Sequence, residues 1–237
     1  MKLIVLRTGD AEPTVAARRG EFFAWIVRET SPAWAGLWEE RDVRGGGPLP
    51  DPRDADGFIM TGSPSSVTER APWMLRAEEL LRGIVAAGVP FFGICFGHQL
   101  MASALGGEVV RNPRGREMGT VEVRVRDGAD PLLAALPRAF AANATHVDVV
   151  SKPPPGARVL AETDLDPCAI YAVGAATKCV QFHPEIDGDA MRRYVDVRAG
   201  LVEAEGGDPR ALRAGAADTP EAAALLRNFA RLVRHGM

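Results

Sequence analysis

A cysteine with a glycine two residues to either side is the residue of this chain best placed to do chemistry. The segment Pro90-Phe-Phe-Gly-Ile-Cys-Phe-Gly-His-Gln99 passes from a strand-like run to a helical pattern, so Cys95 falls at the turn between them. Gly93 and Gly97 allow a tight, crowded turn that exposes the side chain between them. The helix N-terminus lowers the thiol pKa, and the amide of Phe96 can donate to a developing oxyanion. The pattern predicts a nucleophilic thiol; the alternative is a small buried side chain at a strand-helix junction.

A thiol nucleophile needs a base and a group that orients the base. The segment Gln181-Phe-His-Pro-Glu185 follows a predicted strand, and Pro184 favours an extended backbone at His183. Residues i and i+2 of an extended segment point the same way, so we expect Glu185 to hold one imidazole nitrogen while the other faces Cys95. The sequence thus predicts a Cys–His–Glu triad; the alternative is an exposed turn with a solvated carboxylate.

The other histidines and cysteines carry weaker signals. A structural role is expected for His98, one turn along the helix from Cys95, and fraying is expected for His235 near the chain end. Three cysteines cannot all pair, and none has CxxC spacing, so Cys168 and Cys179 are interpreted as free structural thiols. No metal site is predicted.

The elements around these motifs alternate between strand and helix. Strands are predicted over 2–6, 57–60 and 90–94, and helices over 14–29, 72–87 and 97–105. The βαβα order implies an α/β fold with an open, mostly parallel central sheet and helices on both faces.

The second half of the chain has a different pattern. Apolar and charged residues alternate from Val121 to Arg126, which predicts strands with one wet face and a small antiparallel portion. Further strands are predicted over 158–161, 169–173 and 178–182. A helix starts at Asp189, and another starts at Pro220 with Thr219 as its N-cap. We expect a single domain over residues 1–237.

Composition narrows the function classes. The chain has 237 residues, 46% hydrophobic and 25% charged, and a formal net charge of −3, which excludes disorder and disfavours a nucleic-acid partner. The apolar run over 3–6 is too short for a signal peptide, and no later run could span a bilayer, so we expect no membrane partner and a cytoplasmic protein.

Four motifs together resemble the class I (triad) glutamine amidotransferases in order and spacing. They are Gly93-Ile-Cys-Phe-Gly-His-Gln99, Thr61-Gly-Ser-Pro64, His146-Val-Asp148 and Gln181-Phe-His-Pro-Glu185. The resemblance covers nearly the whole chain and is strongest to stand-alone domains similar to the amidotransferase part of GMP synthase. It implies a flavodoxin-like α/β fold that needs no metal or organic cofactor.

The resemblance also implies roles in a glutaminase reaction. Cys95 would be the nucleophile that forms a γ-glutamyl thioester, His183 the base and then acid, and Glu185 the residue that orients His183. The amides of Gly62 and Phe96 would form the oxyanion hole. The products would be glutamate and ammonia.

Three further residues match substrate-contacting positions of the family. Gln99 matches the position that contacts glutamine, and His146 and Val147 match a loop that lines the same pocket. Without the resemblance, Gln99 could equally be an exposed helix residue and His146 a structural one.

Departures from the biosynthetic members leave three hypotheses open. Too few residues follow Glu185 for ATP-pyrophosphatase and dimerisation domains, and no phosphate-binding loop is present, so ammonia would pass to a separate synthetase partner. Thr61-Gly-Ser-Pro64 replaces a Gly-Gly-Pro form, and the Cys95 motif also resembles γ-glutamyl peptidases. The chain is therefore a glutamine amidotransferase, a γ-glutamyl peptidase acting on compounds such as glutathione conjugates, or a catalytically idle module.

Overall fold

The secondary structure described here covers residues 1–236 of a computed structural model. The strands in chain order are β1 (Lys2–Arg7), β2 (Leu37–Asp42), β3 (Gly57–Met60), β4 (Phe91–Ile94), β5 (Glu108–Arg111), β6 (Glu117–Val125), β7 (Ala139–His146), β8 (Asp148–Lys152), β9 (Ala157–Glu162), β10 (Ile170–Val173) and β11 (Thr177–Val180). The α-helices are α1 (Pro13–Arg19), α2 (Phe22–Thr30), α3 (Pro72–Ala86), α4 (Phe96–Ala104), α5 (Gly188–Val197), α6 (Ala199–Ala204), α7 (Pro209–Gly215) and α8 (Pro220–His235).

A nine-stranded sheet forms the centre of the fold. Its strand order is β2-β1-β3-β4-β11-β10-β9-β6-β7. The strands from β2 to β11 run parallel to one another. From β11 to β7 the pairing is antiparallel, and β5 pairs antiparallel with β8 in a separate two-stranded sheet. The expected α/β class with a parallel core and an antiparallel portion is confirmed.

Helices cover both faces of the parallel region. Leu3 and Val5 of β1 pack in one apolar cluster with α2 and α8, whereas Ile4 and Leu6 pack in a second cluster with α3 and α4. Alternate residues of a strand point to opposite faces, so a strand covered on both sides must be apolar throughout. This requirement explains the uninterrupted Leu-Ile-Val-Leu run of β1.

The helix predicted over 14–29 is wrong, because two helices occupy that stretch. Gly20, with φ at +79°, ends α1, and α2 starts two residues later. Only glycine adopts this backbone conformation without strain, and the chain turns here. The side chains around the break support it: Trp25 donates to the Arg19 carbonyl at 2.7 Å, and Glu21 accepts from the Ala11 amide at 2.8 Å.

Several other elements differ from the sequence predictions. α8 starts at Pro220 as predicted, but the side chain of Thr219 makes no capping hydrogen bond. Strands β2, β5, β7 and β8 and helices α6 and α7 were not predicted. β2 is a charged edge strand, and β7 is rich in alanine, so neither has the apolar, β-branched composition typical of strands; they are held by pairing with β1 and β6.

None of the helices in residues 1–236 has the length and apolar composition that crossing a bilayer requires.

Candidate active site

The turns that follow four parallel strands meet at one edge of the sheet. Thr8 follows β1, Gly62 follows β3, Cys95 follows β4 and His183 follows β11. The carboxyl ends of parallel strands are where open α/β sheets place their ligand sites. The topology therefore gathers motifs that are far apart in the sequence.

Cys95 occupies a strained turn between β4 and α4. Its φ of +50° is rare for a residue other than glycine, and such strain concentrates at functional sites. The flanking glycines are required by close contacts: a Cβ at Gly93 would lie 2.8 Å from the backbone of Gly97, and a Cβ at Gly97 would lie 2.8 Å from the Met60 carbonyl oxygen. The thiol is held in a nearly enclosed position, with 7% of the residue exposed.

His183 links Cys95 to Glu185. Its Nδ1 lies 2.7 Å from Glu185 Oε1, which leaves Nε2 for the thiol, and the carboxylate is fully buried. The route to this contact differs from the extended segment expected from the sequence. The Ile186 amide donates to the His183 carbonyl at 3.2 Å, so a turn, and not a strand, brings the carboxylate to Nδ1 of the ring. Phe22 stacks on the imidazole with ring centroids 6.4 Å apart.

The electrostatics of the site favour a thiolate–imidazolium pair. Burial alone would raise the pKa of Cys95, but the charge and hydrogen bond of His183, together with the charge of His146, lower it. Burial would lower the pKa of His183, but the charges of Glu185 and Cys95 raise it to about 10. Both shifts favour transfer of the thiol proton to the imidazole.

The other two cysteines are unlike Cys95. Cys168 and Cys179 are buried and unpaired with each other or with Cys95, and burial raises the pKa of both, that of Cys179 to about 12. His98 is also buried, with Nε2 2.8 Å from the Cys168 carbonyl oxygen, and burial lowers its pKa to about 3. These groups lie in the core and stay uncharged at neutral pH.

Hydrogen bonds from Thr8 hold the turn that contains Gly62 next to Cys95 and His183. The Thr8 hydroxyl donates to the Gly62 carbonyl at 3.0 Å, and the Thr8 amide donates to the Thr61 hydroxyl at 3.0 Å. A Cβ on Gly62 would lie 2.8 Å from His183 Cε1 and 3.6 Å from the Cβ of Cys95. Sequence reasoning missed Thr8, since a lone threonine after a strand gives no signal.

Phe96 supplies the first amide of α4, where backbone N–H groups have no partner inside the helix. Its side chain stacks on Trp73, with ring centroids 5.5 Å apart. Gly62 and Phe96 thus lie beside Cys95 at the ends of two different strands, β3 and β4. Their role in catalysis stays a prediction.

The residues expected to contact substrate surround a cavity at Cys95. The cavity has two lobes of about 360 and 240 Å³. His183 lines the larger lobe and Gln99, His146 and Val147 line the smaller one. Both lobes share the same central wall, formed by Ser63, Pro64, Cys95, Thr145 and Arg198.

Gln99 holds the loop that lines the smaller lobe. Its side-chain nitrogen donates to the Asp148 carbonyl at 2.8 Å and to Gln181 Oε1 at 3.0 Å. The Val147 carbonyl accepts from the Asn112 amide at 2.8 Å. The side-chain nitrogen of Gln99 is thus engaged with the protein, and its contact with a substrate stays a prediction.

His146 forms a second buried pair with a carboxylate. Its Nε2 lies 3.0 Å from Glu117 Oε2 and its Nδ1 lies 3.1 Å from the Asp148 carbonyl oxygen. Both partners are acceptors, so both ring nitrogens carry protons and the imidazole is cationic. Burial opposes this charge, but the Glu117 hydrogen bond raises the His146 pKa. Glu117 was not predicted, because it precedes the alternating segment from Val121 to Arg126 and a single carboxylate there gives no signal.

Residues 1–236 contain no group of three or more histidine, cysteine, aspartate or glutamate side chains arranged to hold a metal ion.

A parallel sheet with a cysteine, a histidine and a glutamate at its carboxyl edge defines an α/β protein with a thiol-centred site. Comparison with known proteins identifies the family: the family model described as "Glutamine amidotransferase class-I" matches residues 48–195. The chain belongs to the class I glutamine amidotransferase family.

Individual relatives agree with this assignment. A GMP synthase [glutamine-hydrolyzing] from Aeropyrum pernix is 40% identical over 162 residues, which are 68% of this chain and 30% of that protein. Gamma-glutamyl peptidase 3 from Arabidopsis thaliana is 28% identical over 158 residues, 63% of this chain and 64% of the peptidase. A glutamine amidotransferase from Thermotoga maritima has the same fold, with a TM-score of 0.77, 21% identity and coverage of 100% of this chain and 99% of that one.

The relatives differ from this chain in length. The chain spans 30% of the Aeropyrum GMP synthase and 26% of a GMP synthase from Leifsonia xyli, to which it is 44% identical over 135 residues. Most of each of these two GMP synthases therefore lies outside the region aligned with this chain.

Proposed function

We propose that this protein hydrolyses the side-chain amide of glutamine through a γ-glutamyl thioester on Cys95. The observation that carries the proposal is the buried Cys95–His183–Glu185 arrangement, in which the pKa of the thiol is lowered and that of the imidazole is raised. Such a pair supplies a nucleophile and a proton donor in the same resting state.

In the first half-reaction the Cys95 sulfur attacks the side-chain carbonyl carbon, and the carbonyl oxygen gains negative charge. The amides of Gly62 and Phe96 donate to that oxygen, an interaction worth about 10²–10³ in rate for one donor. His183 gives its proton from Nε2 to the leaving nitrogen, the C–N bond breaks, and ammonia departs. The γ-glutamyl group stays on sulfur as a thioester.

In the second half-reaction water attacks the thioester carbon. His183, now neutral, takes a proton from the water at Nε2, and the C–S bond breaks. Glutamate leaves, and the thiolate–imidazolium pair is restored. Glu185 holds Nδ1 in both steps and so keeps Nε2 directed at the reacting atoms.

A synthetase that uses the released ammonia is the partner that we propose. The similarity to GMP synthases that are more than three times as long as the matched segment supports this, because those proteins contain further sequence beyond the shared region. The present chain would then supply ammonia to a separate protein.

A γ-glutamyl peptidase is the second candidate, and two observations favour it. The peptidase from Arabidopsis is matched over most of its length. A further cavity of about 550 Å³ shares Arg116 with the small lobe at Cys95, so room for a leaving group larger than ammonia adjoins the site. The thioester chemistry would be the same, with an amine or peptide in place of ammonia.

Release of glutamate from glutamine and from glutathione by the purified protein distinguishes the two candidates. Cys95→Ala serves as the blank for both substrates. A preference for glutamine with equimolar ammonia supports the amidotransferase, and a preference for glutathione supports the peptidase. A protein whose Cys95 reacts with neither substrate, nor with a glutamine-like chloroketone, would be the idle module.

A further inference from the structure

Arg198 is the arginine of the cavity at Cys95 that forms no direct ion pair with a described carboxylate, although Glu12 of the larger lobe acts on it at longer range. Three arginines line its lobes, and two of them are ion-paired: Arg44 with Asp10 at 2.8 Å, and Arg116 with Glu205 at 2.8 Å. Among residues 1–236, no carboxylate oxygen lies within 4.0 Å of the Arg198 guanidinium. A charge in this position is therefore available to a ligand.

The guanidinium is held in place by neutral groups. Arg198 lies at the junction of α5 and α6, and its Nη1 donates to the Thr145 hydroxyl. Its guanidinium carbon lies 5.3 Å from the centre of the Tyr194 ring. A hydroxyl and an aromatic face orient the planar fork without cancelling its charge. Most of its five N–H donors stay free for a ligand.

Burial makes this arrangement costly in the absence of an anion. The side chain is half-buried, and burial lowers the pKa of Arg198 below its ordinary value. A buried cation is stabilised by an anion that accepts two parallel hydrogen bonds, and a carboxylate has the matching geometry. Arg198 lines both lobes together with Cys95, so the carboxylate would belong to the molecule that reaches the thiol.

We propose that Arg198 binds the α-carboxylate of the γ-glutamyl substrate and so restricts the site to substrates that carry this group. The inference rests on the proposed function, since it names the group that anchors the substrate of that reaction. Arg198 lies beyond the segment 48–195 that matches the family model, so the role is read from the cavity and not from the matched motifs.

Alkylation of Cys95 by two small reagents tests the proposal without relying on turnover. Iodoacetate carries a carboxylate and iodoacetamide does not, while both react with the same thiolate. In Arg198→Met we expect the rate with iodoacetate to fall about 10- to 100-fold further than the rate with iodoacetamide, the range of a lost charge-assisted bidentate contact. Arg198→Lys keeps the charge without the planar fork, so its rate with iodoacetate should lie between those of the wild type and Arg198→Met.

A matched control comes from the same helix. Arg192 of α5 donates to the Ala216 carbonyl at 2.7 Å and lines neither lobe. Arg192→Met should leave both alkylation rates unchanged. Equal losses with both reagents in Arg198→Met would make Arg198 only a stabiliser of the thiolate, and no loss with either reagent would show that Arg198 contacts no carboxylate; either result overturns the proposal.

Steady-state kinetics separate this inference from the proposed function. In Arg198→Met, the KM for glutamine should rise about 10- to 100-fold with a smaller change in kcat. Hydrolysis of 4-aminobutanamide, which is glutamine without its carboxylate, should be slow and equal in both proteins. If Arg198→Met lowers the ratio of the iodoacetate rate to the iodoacetamide rate but the wild type does not hydrolyse glutamine, the carboxylate site stands and the proposed glutaminase activity is wrong. If the wild type hydrolyses glutamine and Arg198→Met leaves this ratio unchanged, the glutaminase activity stands and the carboxylate site is wrong.

Discussion

Glu117 Oε2 lies 3.0 Å from Nε2 of His146, and His146 lines the smaller lobe of the cavity together with Cys95. The Thr163 hydroxyl donates to the other oxygen of Glu117 at 2.6 Å, so the carboxylate is held on both sides. The cationic ring contributes to the lowered pKa of Cys95. The site therefore contains two histidines, each paired with a buried carboxylate that favours its charged form. Of these two histidines, only His183 is hydrogen-bonded to the thiol.

Glu117→Gln removes the charge that keeps His146 protonated. Without it, His146 should become neutral near pH 7, and the pKa of Cys95 should rise because one positive charge near the thiolate is lost. The pH profile of iodoacetamide alkylation should move to higher pH. The control is Glu122→Gln, a substitution of an exposed residue on the same strand. A profile unchanged by Glu117→Gln would mean that His146 has no electrostatic effect on the thiol.

The relative effects of two triad substitutions form a second prediction. His183→Ala removes the proton donor, whereas Glu185→Gln keeps a hydrogen bond to Nδ1 and removes only its charge. The loss in kcat/KM should be about 10- to 100-fold smaller for Glu185→Gln than for His183→Ala. Rates of glutamate release from glutamine measure both. Equal losses would contradict an orienting role for Glu185.

The backbone strain at Cys95 leads to a third prediction. With φ at +50°, this position suits glycine better than alanine, so Cys95→Gly should be more stable than Cys95→Ala by about 1 kcal/mol, while both should be inactive. Urea unfolding measures the difference. The sequence predicts an exposed side chain at this turn, but Cys95 belongs to a buried cluster, so alanine, which keeps the Cβ, is the matched reference.

Equal stability of the two Cys95 variants would show that the turn is relaxed once the thiol is gone. Cys179 offers the contrast, because it is fully buried in β11 with an ordinary strand backbone. There, glycine should be less stable than alanine, as in any strand interior.

The reactive turn could be predicted from the sequence because its signals are local. Gly93 and Gly97 permit one tight turn, and their spacing around Cys95 needs no knowledge of the rest of the fold. The pairing of His183 with Glu185 was also accessible, since two positions separate them. The turn that joins them depends on a hydrogen bond from Ile186, and this was not visible in the residue pattern.

Contacts made across long sequence separations could not be predicted. Glu117 and His146 meet because β6 and β7 pair in one register, in which these two residues are directly opposite. Nothing in the composition of β7 predicts a strand. Arg198 reaches Thr145 only because α5 ends beside this hairpin, and the sequence gives no sign of that placement.

Gly62 provides a fourth prediction, in which activity and stability separate. A methyl group there would lie 2.8 Å from His183 Cε1, closer than atoms approach, so Gly62→Ala should displace the imidazole. We expect a loss of about 100-fold in kcat/KM, as for small misplacements of reacting groups, with little change in the free energy of unfolding. Gly200→Ala, where the added atom has open space, is the control. Full activity in Gly62→Ala would mean that the ring tolerates the shift.

His98 gives a last prediction, on the pH dependence of stability. Its pKa is lowered from 6.5 to about 3 by burial. A second proton on the ring would sit on Nδ1, which has no hydrogen-bond partner among residues 1–236. Between these values the unfolded chain binds a proton that the folded chain excludes. The contribution of His98 to stability is therefore complete above pH 6.5 and is lost as the pH falls towards 3.

Between pH 7.5 and pH 5.0 this loss should be about 2 kcal/mol, because one pH unit corresponds to about 1.4 kcal/mol for a single proton. Asp166, whose pKa burial raises to about 6, acts with the opposite sign, so the comparison must be made between proteins and not between pH values alone. His98→Gln should lose about 2 kcal/mol less than the wild type over this range in urea unfolding. The exposed His235→Gln is the control, and an identical pH dependence in wild type and His98→Gln would show that His98 is charged in the folded protein.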